Sequence, residues 1–201
     1  MKKTLPAISY LFHPLFMPVF GVLFYFFLNE NYFIPAQKYL LLIQVSIILI
    51  LIPIAIFYLL RTLGKADSVM LSDVSQRKIP LAAQAILIGL LIMQSIRVDI
   101  VPELFFFFSG GFISTVIAFI LALANTKASL HQMGISTLTF FVIGLSLHNH
   151  KNAIAIIAVL FLINGLIATS RLYMNAHSGK ELGMGFLAGM LPQIALWYFW
   201  L

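Results

Sequence analysis

Residues 39–61 read Tyr39-Leu-Leu-Leu-Ile-Gln-Val-Ser-Ile-Ile-Leu-Ile-Leu-Ile-Pro-Ile-Ala-Ile-Phe-Tyr-Leu-Leu-Arg61, with no charged side chain before the arginine. A helix needs about 20 mostly apolar residues to cross the hydrocarbon core of a bilayer. This stretch supplies them, and six others approach the same length: 5–28, 79–97, 101–125, 132–147, 151–170 and 182–201. The stretch 132–147 is short and carries Thr137 and Thr139, which predicts a helix that is bent or tucked inside the bundle. The expected fold is all-α: a polytopic membrane helix bundle of about seven transmembrane helices. Residues 1–201 form a single membrane domain, because the connections are too short to hold a soluble one.

Composition agrees. Of the 201 residues, 62% are hydrophobic and 9% charged, against roughly 25% charged in soluble domains. The mean hydropathy is +1.04. A soluble domain has no interior large enough to hide this much apolar surface. Disordered, collagenous and coiled-coil classes are excluded. Zinc ribbons, thiol enzymes and iron–sulfur centres are excluded too, because the chain has no cysteine. Met1-Lys2-Lys3 ahead of an apolar run imitates a secretory signal. His13, Pro14 and Pro18 interrupt that run, so an uncleaved first membrane segment is expected.

The net charge of +6 is unevenly distributed. Seven spans place the N-terminus, 62–78, 126–131 and 171–181 on one side. That side holds nine Lys and Arg, and the other side holds Lys38, Arg97 and Lys151. The positive-inside rule makes the first side cytoplasmic, in a protein of the plasma (inner) membrane. The cations form no stripe on a soluble face, so no nucleic-acid partner is expected; membrane lipids are. His131, His177, Asp67, Asp73, Glu181, Ser129 and Ser170 accompany the nine cations. One polar cluster on one membrane face is a candidate site.

Three segments carry the chemistry. Ser170-Arg171-Leu-Tyr-Met-Asn-Ala-His177-Ser-Gly-Lys-Glu181 spaces a Ser-Arg pair from a His and a Glu. His177 and Glu181 stand four apart, which on a helix puts them on one face. The carboxylate can take the proton of one ring nitrogen and leave the other as a nucleophile. Arg171 offers a donor fork matched to phosphate oxygens, and the start of the last helix offers free amides. The same residues also fit a juxtamembrane loop with a head-group-anchoring arginine and a His–Glu helix pair.

Lys127-Ala-Ser129-Leu-His131 can bind phosphate oxygens and protonate a leaving group; Ser129 is equally suited to capping a helix. Asp73-Val-Ser-Gln-Arg77-Lys78-Ile-Pro80 can complete a cationic cup with Arg77 and Lys78. It also fits an Asp73–Arg77 pair and a proline that opens a helix.

Together these segments resemble the type 2 phosphatidic acid phosphatase superfamily. Its motifs run K-x6-R-P, P-S-G-H and S-R-x5-H-x3-D in that order. The third matches at Ser170, Arg171 and His177, with Glu181 for the Asp. The second is reduced to Ser129-x-His131, without the Pro and Gly. In the first, Arg77 precedes Pro80 by three and no Lys lies seven before it. The resemblance spans about residues 73–185.

It implies a metal-independent phosphatase of a lipid phosphate or polyprenyl (di)phosphate, with no cofactor. His177 is then the nucleophile that becomes a phosphohistidine, Glu181 its orienter and His131 the general acid. Arg171, Ser170 and Ser129 hold the phosphate, joined by Lys127, Arg77 and Lys78. The alternatives are a noncatalytic protein that binds or moves an anionic lipid, and a small-solute transporter. The latter has less support, because no repeat or paired broken helix is visible.

Four other features have structural readings. His148-Asn149-His150-Lys151 is expected to be a solvent-facing polar loop, and His13-Pro14 to shape the entry of the first span. Gly185-x3-Gly189 and Gly179-x3-Gly183 are expected to permit close helix packing. Trp197, Tyr198 and Trp200 are expected to form an interfacial belt.

Overall fold

In the computed structural model, residues 4–29, 33–68, 70–71 and 73–201 are described. Two of the nine cations, Lys2 and Lys3, lie outside them.

The first apolar stretch is helical but broken. Helix α1 (Thr4–Leu11) ends before His13, a 3-10 turn covers Pro14–Phe16, and α2 (Met17–Leu28) follows. Pro14 holds His13 in an extended conformation (φ −64°, ψ 140°), as a following proline requires.

The decisive stretch 39–61 lies in α3 (Pro35–Ser46), a π-helical segment (Ile47–Leu51) and α4 (Ile52–Thr62). Pro53 has no N–H to donate back into the helix, and the widened turn just ahead of it absorbs that defect. Then come a 3-10 turn (Ser75–Arg77), α5 (Lys78–Gln94), α6 (Pro102–Leu123), α7 (Leu130–His148), α8 (Ile154–Tyr173) and α9 (Gly179–Trp197). No strand occurs among the described residues.

Among the described residues, six helical units are long and apolar enough to cross a membrane: Leu5–Leu28, Pro35–Thr62, Ser75–Gln94, Pro102–Leu123, Leu130–His148 and Ile154–Tyr173. The seventh expected stretch does form a helix, α9, but is not among the six. Lys180, Glu181, Gln193 and four glycines dilute its apolar content.

Helix α7 is the hub. It packs against α2, α6, α8 and α9, and 67% of its spanning window is buried, against 28% for α8. It is therefore tucked inside, as its two threonines suggest. In lipid there is little hydrophobic force between helices, so close backbone approach and polar contacts hold them. Ser136 Oγ donates to Phe186 O at 3.0 Å. Gln193 Nε2 donates to Phe107 O at 3.0 Å. Asn164 of α8 accepts from Gln132 Nε2 at 3.0 Å and donates to Thr139 Oγ1 at 2.8 Å.

Gly185 and Gly189 lie against the Ser129 and Met133 carbonyls, where a Cβ has no room. Gly179 and Gly183 face open space, so only the first of the two glycine pairs packs helices. Gly185→Leu is therefore expected to force α9 off the start of α7. Melting in detergent should fall by an amount equivalent to about 3 kcal/mol or more, the upper range for overpacking. Gly183→Leu should melt as the native chain does.

One sequence reading at the far end of the bundle needs correction. Trp200 is turned inward, 7% exposed, with its ring against Phe141 and His148; Tyr198, 89% exposed, does face outward. The polar loop does face solvent, with His148, His150 and Lys151 exposed, and His148 Nε2 also lies 3.4 Å from Oε1 of the buried Glu103. A buried carboxylate needs such a partner.

Candidate functional site

Local sequence signals bring the three segments together. Helix α8 ends with Asn175 in the left-handed conformation (φ 51°), and the Ala176 N–H returns to the Arg171 carbonyl at 3.0 Å. Helix α6 ends in the same way, with Asn125 at φ 55° and Thr126 N–H on the Leu121 carbonyl at 2.8 Å. Asparagine tolerates this conformation and stops helices there. The Ser129 N–H then donates to the Glu181 carbonyl at 3.0 Å, joining the second segment to the third. Arg77 joins the first: its Nε donates to Leu71 O and its Nη1 to Ala128 O, both at 2.8 Å.

His177 Nδ1 lies 2.7 Å from Glu181 Oε2. The spacing of four foresaw the pair, but the cause is not a shared helix face. His177 precedes α9, and Ser178 is its N-cap. The Ser178 hydroxyl accepts from the Glu181 N–H, and Glu181 Oε2 accepts from the Ser178 N–H, each at 3.4 Å. Such a box favours Glu at its third helical position. This accounts for Glu at position 181, where the resemblance leads one to expect Asp. The carboxylate takes the Nδ1 proton and leaves the Nε2 lone pair.

The His177 side chain is 2% exposed. Burial above all pushes its pKa down to about 4, with Arg77, Arg171 and Lys127 acting the same way and the Glu181 hydrogen bond opposing them. At neutral pH the ring is uncharged and able to attack an electrophile.

Arg171 is the anomaly of the site. It is 2% exposed, its Nε has no hydrogen-bond partner among the described residues, and its Nη1 meets only the sulfurs of Met70 (3.6 Å) and Met174 (4.0 Å). No described carboxylate pairs with it or with the buried Arg77. Buried charges are ordinarily paired, because desolvating a lone one is costly. Both cations lie within electrostatic range of the His177 imidazole.

The other expected site residues are placed less simply. His131 is 4% exposed. Its Nε2 lies 3.1 Å from the Ser9 carbonyl, which can only accept, so Nε2 carries a proton and Nδ1 is left to meet a ligand. Arg171, His13 and His177 are all within electrostatic range of the His131 ring.

Ser129 caps α7, its Oγ accepting from the Gln132 N–H at 3.4 Å. Ser170 turns toward α1, with Oγ 2.7 Å from Ser9 Oγ and donating to Leu5 O at 2.6 Å. Its hydroxyl does not join the cluster. Lys127 is half-buried and acts on His177 through its charge. Lys78 is half-buried at the start of α5, with no ion pair among the described residues.

Asp73 does not pair with Arg77. It accepts from the Ser75 N–H at 2.9 Å, and hydrogen bonds from Ser75 hold its carboxyl below the usual range. Three or more metal-ligating side chains converge nowhere among the described residues.

Sequence reasoning missed two members. The His13 ring stands edge-on to His131, with centroids 5.1 Å apart, and Ser9 supplies the carbonyl that orients His131. A histidine inside an apolar span is itself a signal of function, and His13 carries it. Comparison with known protein families, with curated proteins and with solved structures finds no match for this chain.

Proposed function

We propose that the chain is a membrane-embedded phosphatase that hydrolyses a lipid phosphate or polyprenyl (di)phosphate through a phosphohistidine. One observation carries this reading: a buried Arg171 with no carboxylate partner among the described residues, within electrostatic range of an imidazole whose Nδ1 is held by Glu181. The motif resemblance over about residues 73–185 supports the same chemistry.

In this reading α9, about 28 Å long at 1.5 Å per residue, is the seventh span of a single membrane domain. The motif face is cytoplasmic, by the nine-to-three bias of Lys and Arg. A site at head-group depth takes the phosphate while the tail stays in lipid.

Arg171 and Arg77 hold the phosphoryl oxygens, and Lys127 and Lys78 add positive charge at the rim. His177 Nε2 attacks phosphorus, the P–N bond forms and the bond to the leaving oxygen breaks. With the phosphate's negative charge seated beside it, His131 becomes protonated on both nitrogens and gives its Nδ1 proton to that oxygen while the Ser9 carbonyl holds Nε2. Neutral His131 then takes a proton from water, whose oxygen attacks the phosphohistidine. Inorganic phosphate leaves and His177 is restored.

Purified protein should release phosphate from at least one of a panel of lipid phosphates and diphosphates, and should do so with a chelator present. The acid limb of kcat/KM should reflect the free nucleophile. A group with lowered pKa stays neutral down to that pKa, so the His177 limb belongs near pH 4 and not near 6.5.

The second reading is a noncatalytic protein that binds an anionic lipid. The Ser170 hydroxyl, spent on α1, favours it. Saturable lipid-phosphate binding with no phosphate release across the panel selects that reading.

A further inference from the structure

An apolar hollow lies among α2, the π-helical segment, α5, α6 and α7. It has a volume of about 190 Å³ and is walled by His13, Leu49, Ile88, Phe107, Phe108 and Met133, among others. Leu49 belongs to the π-helical segment, so the Pro53 defect shapes one wall.

Two of its lining residues touch the site. His13 lines it and stacks edge-on against His131. Leu71 lines it too, and the Leu71 carbonyl takes the Arg77 guanidinium. At one end therefore stands the buried Arg77, which has no ion pair among the described residues, and at the other aromatic and aliphatic side chains. Sites for drug-sized ligands run to 300–1,000 Å³. This one has room for a single slim chain.

We propose that the hollow receives the one apolar chain of a single-chain amphiphile whose anionic head sits at Arg171 and Arg77, with His13 at the junction of chain and head. The inference rests on the phosphatase reading only in taking the head to be a phosphate. A chain already dissolved in lipid gains little by transfer to another apolar place. What the hollow adds is position: it fixes the first carbons after the head and so aims the phosphorus at His177 Nε2.

Gly111 makes the test possible. It lines the hollow, and a Cβ built on it meets nothing within 4 Å, so Gly111→Leu is the substitution chosen to narrow the space, with its melting checked against that of the native chain. Gly165 is an exposed glycine on α8 with equal freedom and no part in the hollow.

The full chain in detergent is labelled with a single-chain alkyl phosphate bearing a diazirine in its chain, and the adducts are mapped by mass spectrometry. Labels are expected on α5 near Ile88 and on α6 near Phe107 and Phe108. They should be reduced about tenfold in Gly111→Leu, the usual worth of a methylene-sized misfit, and unchanged in Gly165→Leu. Labels spread over lipid-facing residues such as Phe161 and Leu162, or undiminished in Gly111→Leu, overturn the proposal. So does equal labelling of the hollow by a two-chain phosphate. Labelling of the hollow without any phosphate release keeps this inference and discards the phosphatase. Phosphate release without such labelling does the reverse.

Discussion

His177→Ala is expected to leave phosphate release on the order of 10⁴-fold or more below the native rate. No neighbouring side chain can replace it. The His131 ring holds Ser9, and arginines do not lose their protons. The loss should be chemical and not structural. Glu181 stays anchored as the partner of Ser178 in the α9 cap, and the contact of α9 with α7 rests on Gly185 and Gly189. Melting of His177→Ala should therefore stay close to native, unlike that of Gly185→Leu. The removed ring leaves space of its own shape, so added imidazole should restore a measurable part of the rate. A variant that melts normally and keeps its native rate contradicts the assigned nucleophile.

The second large effect has opposite signs in two measurements. Arg171→Met should weaken lipid-phosphate binding by about 100-fold, the value of losing a charge-assisted contact worth about 3 kcal/mol. Stability in the absence of lipid phosphate should hold or rise. The native guanidinium is buried, and among the described residues its Nε has no partner while its Nη1 meets the thioethers of Met70 and Met174. Methionine fills similar space without a charge to desolvate, and replacing buried ionic groups by apolar ones is often neutral or stabilising. An arginine kept for folding gives the reverse: a lower melting temperature and unchanged binding. Titration of lipid phosphate beside a thermal scan distinguishes the two.

How much of this was legible in the sequence depends on the range of each interaction. The apolar runs were readable because every carbonyl and amide in a bilayer must be satisfied within its own helix. The seventh run, diluted by glycines and polar residues, forms a helix but is not among the six apolar spans. The His177–Glu181 pair was readable from its spacing, although a capping box and not a helix face makes it. The meeting of Ser129 with Glu181 followed from chain parity across the membrane, since two spans separate successive motifs.

What was not legible is non-local. Nothing near residue 131 in the chain announces that Ser9, 122 positions away, will hold its ring. Nothing near residue 170 shows that α1 will take its hydroxyl. His13 was readable as a break and not as a neighbour of His131, because a proline at position 14 explains the break sufficiently. Trp200 was placed by composition at an interface, whereas Phe141 and His148 draw it inward.

The central claim is covalent catalysis by His177, and the most direct measurement is to trap the intermediate. Purified protein is mixed with a lipid phosphate that it turns over, labelled in the phosphoryl group, in the presence of a chelator. The reaction is stopped in base within one turnover, and the peptides are mapped. The account predicts an acid-labile, base-stable phosphoryl group on His177 that is absent from His177→Ala and unaffected by the chelator. Turnover without any such adduct, surviving in His177→Ala and abolished by the chelator, would contradict it.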